Sequence, residues 1–388
     1  MNNRVIRILI IAIIAAFFFP KKGAANNPST FDLNVGIDAN ALVAPIDSVV
    51  TKFEREHDWF TLLKKGKLNL SDTTVRYPKF LNFCVNAYRW FDRTFNSYDP
   101  EWVVSTGKIG KVRLLSDNWL DIYDFRVAET PLVMTSRLYC NLGVQANYSI
   151  LSVSYSHDIT SLFGKEKSKH RKLGFTLTTA RVVIDGYYWQ NSGDAKIRRA
   201  GDMLNGHYAD VHFDGLSFRA VGIMGFYIFN NKRFSFAAPY DLSNYQVKSA
   251  GSWMTGLSGT FYDADFDFSK LPPAVQSHIG FPFDRYSLDY NSVNLLGGYS
   301  YNWKCNRHLL FNSTTLPGLG VSFSFSDSTT GRKDLFSASI RQMLSLTYTN
   351  REFFVTGNGF FHGNMLPNGK LAFLSGIVNF QVSSGVRF

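Results

Sequence analysis

The chain has 388 residues with 35 Phe, 19 Tyr and 30 Gly but only 18% charged side chains, the composition of many aromatic-rich strands whose two faces differ. Its formal charge of +11 builds no basic face interleaved with aromatics and no nucleic-acid module, so nucleic acid is excluded as a partner. Three scattered cysteines, Cys84, Cys140 and Cys305, form neither a disulfide framework nor a metal-ligand set, and no phosphate loop or cofactor motif is present.

Residues 1–25 have the form of a leader. Arg4 and Arg7 precede a twelve-residue apolar run, 8–19, and Gly23-Ala24-Ala25 suits cleavage after Ala25. The run is too short for a membrane-spanning helix, which needs roughly 20 residues. The leader holds four basic residues, Arg4, Arg7, Lys21 and Lys22, and no acid, so its removal leaves +7 on an exported chain.

Residues 26–100 read as a helical segment on the periplasmic side. Asp47 caps one amphipathic stretch through Val49, Phe53, Phe60 and Leu63, and Pro78 opens a second through Phe80, Cys84, Ala87 and Phe91. These helices are placed on the barrel rim, against the membrane or in the lumen as a plug. A bridge between Cys84 and Cys305 is conceivable but not demanded.

From 101 the period changes to two. Leu142, Val144 and Ala146 alternate with Asn141, Gly143, Gln145 and Asn147. The same code is read in Leu216, Phe218, Ala220, Met224, Phe226 and Ile228, in Tyr299, Tyr301 and Trp303, and in Leu319, Val321 and Phe323, all taken as lipid-facing. The chain closes on Phe380, Val382, Val386 and Phe388 on one parity, an apolar face ending in an aromatic, which is the signal read by barrel-assembly machinery.

The expectation is an all-β transmembrane antiparallel barrel over 101–388 in an outer membrane, of about twelve strands within a range of 10–14. The strands are placed at 102–115, 133–149, 150–157, 173–188, 211–229, 232–243, 249–265, 289–304, 307–326, 335–348, 351–362 and 371–388. This arrangement puts the long segment 189–210 at the periplasmic end. Splitting 173–190 near Arg181 repairs that, at the cost of a further strand elsewhere and a total of fourteen. The alternate carboxylates Asp263, Asp265 and Asp267 read as a strand fraying into a loop, not as a cation site, because no closing Glu completes the set.

Asn230-Asn231-Lys232-Arg233-Phe234-Ser235-Phe236, Lys248-Ser249-Ala250-Gly251-Ser252, Trp90-Phe91-Asp92 and Tyr299-Ser300-Tyr301-Asn302-Trp303 together resemble a Bacteroidota outer-membrane barrel family catalogued as domain of unknown function 4421. The resemblance covers roughly residues 90–388. It implies an outer-membrane barrel and no assigned activity or site residues.

Chemistry is sparse. Asp210, His212 and Asp214 share one strand parity and form a rim grouping of the kind a barrel enzyme uses, although polar residues of like parity are common at strand ends. The inferred lumen is polar, with Asn141, Gln145, Arg219, Arg341, Thr356, Asn358 and Arg387 facing it. Three readings follow: a narrow pore for small hydrophilic solutes with mild anion preference, a sealed barrel displaying loops to envelope partners, and an envelope enzyme at the rim. The partners expected of all three are outer-membrane lipid, lipopolysaccharide and the barrel-assembly machinery.

Overall fold

The computed structural model describes Trp59, Leu62 and residues 74–95 and 97–388, less 109, 128–129, 149–150, 160–168, 194, 201–210, 274–275, 277–283, 328–332 and 369–370. The leader and nearly all of the first expected helix lie outside this set. The chain divides into two compact units, Met1–Asn96 and Ser97–Phe388. In the first, helix α1 (Lys79–Phe95) starts directly after Pro78, whose carbonyl accepts the Asn82 N–H at 2.8 Å. The helix exposes Phe80, Phe83 and Trp90.

Among the described residues the second unit carries seventeen strands. They begin with β1 (Val103–Ser105), β2 (Gly110–Val127), β3 (Thr130–Ser136), β4 (Tyr139–Tyr148), β5 (Leu151–Asp158) and β6 (Lys169–Thr178). Next come β7 (Val182–Ser192), β8 (Ala195–Ala200), β9 (Val211–Phe213), β10 (Leu216–Ile228), β11 (Asn244–Gln246) and β12 (Ala250–Asp267). The last are β13 (Arg285–Lys304), β14 (Leu309–Asp327), β15 (Lys333–Thr349), β16 (Phe353–Asn368) and β17 (Leu371–Arg387). Twelve of them, β2, β4–β7, β10 and β12–β17, form a closed antiparallel transmembrane barrel in which β17 returns to β2. Pairing of β17 with β2 removes the edges that the first and last strands would otherwise present to lipid, where an unpaired backbone group has no water to bond. The end at which the chain finishes is the base, and the opposite end is the rim.

The outer face is a band of Val, Leu, Ile and Phe. At the base it meets a chain of aromatic contacts, Trp253 on Tyr299 at 5.1 Å, Tyr301 on Trp303 at 4.7 Å and Trp303 on Phe311 at 5.2 Å, the interfacial girdle of a membrane barrel.

Four expectations are corrected. Residues 173–188 are two strands, β6 and β7, joined by a tight turn at 179–181 where Thr179 Oγ1 donates to the Val182 carbonyl at 2.7 Å. Residues 232–243 are no strand: they turn back inside the barrel. The total of twelve stands because one strand is gained and one lost, and the gain moves β8 and β9 to the rim. The first wall strand is 110–127, whereas Val103–Ser105 pairs with β11 in a separate two-stranded ladder. Finally, β10 is inverted. Leu216, Phe218, Ala220, Met224, Phe226 and Ile228 are buried inside, and Ser217, Arg219, Val221 and Ile223 face out. Both parities of this strand are largely apolar, so alternation by itself does not choose the lipid face.

Two buried clusters pack inside the barrel, one toward each end. Toward the rim, β2 pairs with β3, β3 with β8 and β8 with β9, and Leu132 and Met134 of β3, Ile197 of β8 and Phe213 of β9 pack with Phe218, Tyr262, Phe266, Tyr290 and Phe373. Toward the base, Phe234 and Phe236 of the infolded segment pack on Met224, Phe226, Met254, Leu316 and Met343 of the wall.

Candidate functional site: the luminal chamber

Residues 229–249 form a plug. Phe236 meets Phe226 edge-on at 5.1 Å, and the β1–β11 ladder stiffens the plug from Val103↔Gln246 to Ser105↔Asn244. Its backbone is satisfied by one amide: Gln246 Oε1 accepts from the Ser235 N–H at 3.0 Å and from Asn302 Nδ2 at 3.0 Å, while Nε2 donates to the carbonyls of Arg233 at 2.7 Å and Lys248 at 2.9 Å. Buried carbonyls need such partners, because an unpaired one costs its full desolvation.

The tip of the plug is held by charge. Asp241 Oδ2 lies 2.8 Å from Lys111 Nζ, with both side chains buried, and Oδ1 accepts from Asn147 Nδ2 at 2.8 Å and Ser152 Oγ at 3.2 Å. Burial works to raise the Asp241 carboxyl, but the adjoining Lys111 ammonium, its hydrogen bond and Arg113 beyond bring it below the ordinary carboxylate range. Next to it Leu242 is held at φ 65°, in the left-handed region, with its carbonyl accepting Arg387 Nε at 2.8 Å. Tyr240 donates to Asn312 Oδ1 at 2.6 Å across the lumen.

Between plug and rim core lies a chamber of about 240 Å³. Lys172 Nζ pairs with Asp117 at 2.8 Å on one side and Arg341 Nη2 with Asp185 at 2.8 Å on the other. Tyr187 and Trp189 stack at 4.3 Å between ring centres, with His362 edge-on to both, and Asn358, Asn379 and Gln381 complete the polar wall. Arg113 is buried at the chamber wall and donates through Nε to Gln145 Oε1 at 2.9 Å and through Nη1 to the Tyr240 carbonyl at 3.4 Å.

Of the residues expected in the lumen, Asn141, Gln145, Arg341, Thr356, Asn358 and Arg387 face inward; Gln145, Arg341 and Asn358 line the chamber. Arg387 does not project freely, since it donates to the carbonyls of Leu242 and Asn350 and to Thr349 Oγ1, each at 2.8 Å. Arg219 is a correction: it sits on the outer surface near the rim, 3.0 Å from Asp263, because β10 is inverted. Phe380, Val382, Val386 and Phe388 stand on the outer face of the closing strand. Asp210 lies outside the described residues. His212 Nε2 is 2.8 Å from Asp214 Oδ1, both side chains are exposed, and neither lines the chamber. Asp265 of the acidic run is gripped by Arg285, and among the described residues no cluster with metal-ligand geometry occurs.

The sequence reading missed Lys111, Arg113, Asp117, Asp185 and Asp241. For the first three a signal exists, since they share the parity of Leu115 and Asp121 in β2 and mark a charged inner face. Asp241 has none, because the plug has no period.

Comparison with solved structures returns outer-membrane barrels. The outer membrane protease OmpT from Escherichia coli is 9% identical with a TM-score of 0.33, over 75% of this chain and 98% of its own. OmpT of Vibrio cholerae is 9% identical with a TM-score of 0.25, over 72% and 98%. The Pseudomonas putida toluene transporter TodX is 9% identical with a TM-score of 0.22, over 72% and 90%. No curated protein sequence matches the chain. A family model, described as a domain of unknown function, DUF4421, matches residues 123–388, a span that takes in the plug, its socket on β13 and all but one of the barrel strands. The chain therefore belongs to the DUF4421 family of β-barrel proteins.

Proposed function

We propose that this protein is an outer-membrane barrel closed along its axis, a receptor or scaffold rather than an open pore. The observation that carries this reading is the plug. Segment 229–249 occupies the base of the lumen and is fixed there by buried groups from β2, β4, β13, β14 and β17, including the Lys111–Asp241 pair. The aromatic core toward the rim supports it, leaving the chamber between two closures. The outer apolar belt and its girdle at the base favour the outer membrane as its place. A pore for small hydrophilic solutes requires the plug to leave the base, and its expected anion preference loses its free arginines, since Arg341 and Arg387 are both engaged.

Planar-bilayer recording of the folded chain tests the reading. A folded barrel, shown by its shift on an unheated gel, is expected to be silent. Steady conductance from the unmodified protein would establish the pore instead.

A further inference from the structure

The chamber is not walled evenly. β5 and β6 pair from Leu151↔Leu177 only as far as Tyr155↔Leu173. Beyond that, residues 156–158 stay with β4 (Leu142↔His157) and residues 169–172 stay with β7 (Lys172↔Trp189), but among the described residues the two stretches do not pair with each other. The gap is bridged above by β3 and β8, which pair directly at Ser136↔Ala195. Among the described residues this leaves a seam in the side of the barrel, and Ser154, Ser156, Lys172 and Gly174 beside it line the chamber.

The height of the seam follows from register. Leu173, Tyr188, Val221 and Phe261 lie in one row, with Leu173, Val221 and Phe261 exposed on the outer face. Two rows further toward the rim stands the outward ion pair Arg219–Asp263. The seam therefore starts where the apolar belt gives way to charge, the level of lipid headgroups.

The charges of the chamber show what enters. Its wall carries Arg113, Lys172 and Arg341 against Asp117, Asp185 and Asp241. Lys172 is matched by Asp117, Arg341 by Asp185, and Asp241 is claimed by Lys111. Arg113, 6% exposed, donates only to two neutral acceptors, the Gln145 amide and the Tyr240 carbonyl, and shares the charge of Asp241 with Lys111, which holds that carboxylate directly. Two of its five N–H donors have no acceptor among the described residues. A buried guanidinium with no carboxylate hydrogen-bonded to it and unused N–H donors is costly, and its fork suits two oxygens of a phosphate or carboxylate. Nearby, the Trp189 Nε1–H is also buried without a partner, and its ring with that of Tyr187 offers an apolar shelf for the body of such a ligand.

We propose that the chamber binds a small oxyanion-bearing molecule through Arg113, admitted sideways between β5 and β6. The anion is supplied either by a free metabolite or by the headgroup of an amphiphile standing in the outer leaflet. The proposal rests on the lumen being closed along its axis, but it is read by binding and not by conductance, so each fails separately.

The test is calorimetric titration of the full-length folded chain in an uncharged maltoside detergent, with dodecyl phosphate and with inorganic phosphate. Saturable 1:1 binding of dodecyl phosphate is expected, weakened at least about 30-fold in Arg113→Gln, as for removal of one partner of a buried charge pair. Arg113→Lys, which keeps the charge and loses the fork, should fall between the two. Arg219→Gln, on the outer face, should bind as the parent does. Equal affinity for inorganic phosphate identifies a free anion as the ligand, and binding of the long-chain probe alone identifies an amphiphile, with Ser156→Trp then blocking it at the seam. Absence of saturable binding by either probe, or unchanged binding in a folded Arg113→Gln, overturns the proposal.

Discussion

Asp241 concentrates the energetics of the plug in one carboxylate. It meets Lys111, Asn147 and Ser152 at once, with the ion pair buried. Removing one partner of a buried ion pair strands the other, at a cost of about 3–5 kcal/mol. Asp241→Ala is therefore expected to unseat the plug tip, seen as new conductance in a bilayer or protease cleavage within 229–249. Lys111→Met combined with Asp241→Leu should restore only part of the loss, since it removes the stranded charge but leaves Asn147 and Ser152 without their acceptor. The pH dependence has a definite sign. Because the folded carboxyl titrates below its unfolded value of about 4, the stabilisation is complete above that pH and is lost as pH falls through the lower, folded value. The barrel should stay silent from neutrality to about pH 4 and open only in stronger acid, with the Asp241→Asn variant lacking that acid transition.

The plug, as an element, depends on Gln246 in the way a hairpin depends on its turn. One amide supplies the acceptor for the Ser235 N–H and the donors for the Arg233 and Lys248 carbonyls, and it joins the plug to Asn302 on β13. Gln246→Leu keeps the volume and removes these bonds together with one from Nε2 to the Trp102 carbonyl, so amide exchange in 103–105 and 244–246 should accelerate while β13–β17 keep their protection. Uniform loss of protection across the barrel would show that the plug and the wall fold as one unit. The same elements show what sequence conveys. β13 to β17 were readable because one parity is aliphatic or aromatic and the other is Ser, Thr or Asn, as in Leu319, Val321 and Phe323 against Ser322. β10 was readable as a strand but not in its orientation, since its inner face packs on plug and rim cores and is as apolar as its outer one. The stretch 232–243 imitated a strand through Phe234, Phe236 and Ala238, residues that are buried against the inside of the wall. The chamber stayed hidden for a related reason: its charges come from strands distant in sequence, and only barrel closure brings Asp185 to Arg341.

At the scale of the whole molecule, everything inside the barrel depends on the seam where the last strand meets the first. β17 lies along β2 from Arg387↔Lys111 to Phe373↔Phe125, and beyond the ladder Gly110 and Phe388 exchange both backbone hydrogen bonds, at 3.1 and 2.9 Å. The Phe388 ring lies over Gly110 so closely that any side chain there would run into it. The terminal aromatic thus has a mechanical partner in the fold, besides the outward apolar face expected of an assembly signal. It closes the ladder that positions Lys111 and Arg113, and so holds both the plug's counter-charge and the guanidinium at the chamber wall. Gly110→Val should lower the folded fraction on an unheated gel by forcing the ring away, and Phe388→Ala should lower it by opening the last step of closure. Made together, the two should cost less than their sum, because the clash disappears with the ring. Residues in direct contact typically couple by about 0.5–3 kcal/mol. Simple additivity in this cycle would mean that Phe388 acts only on recognition during assembly, and that the barrel closes without the contact.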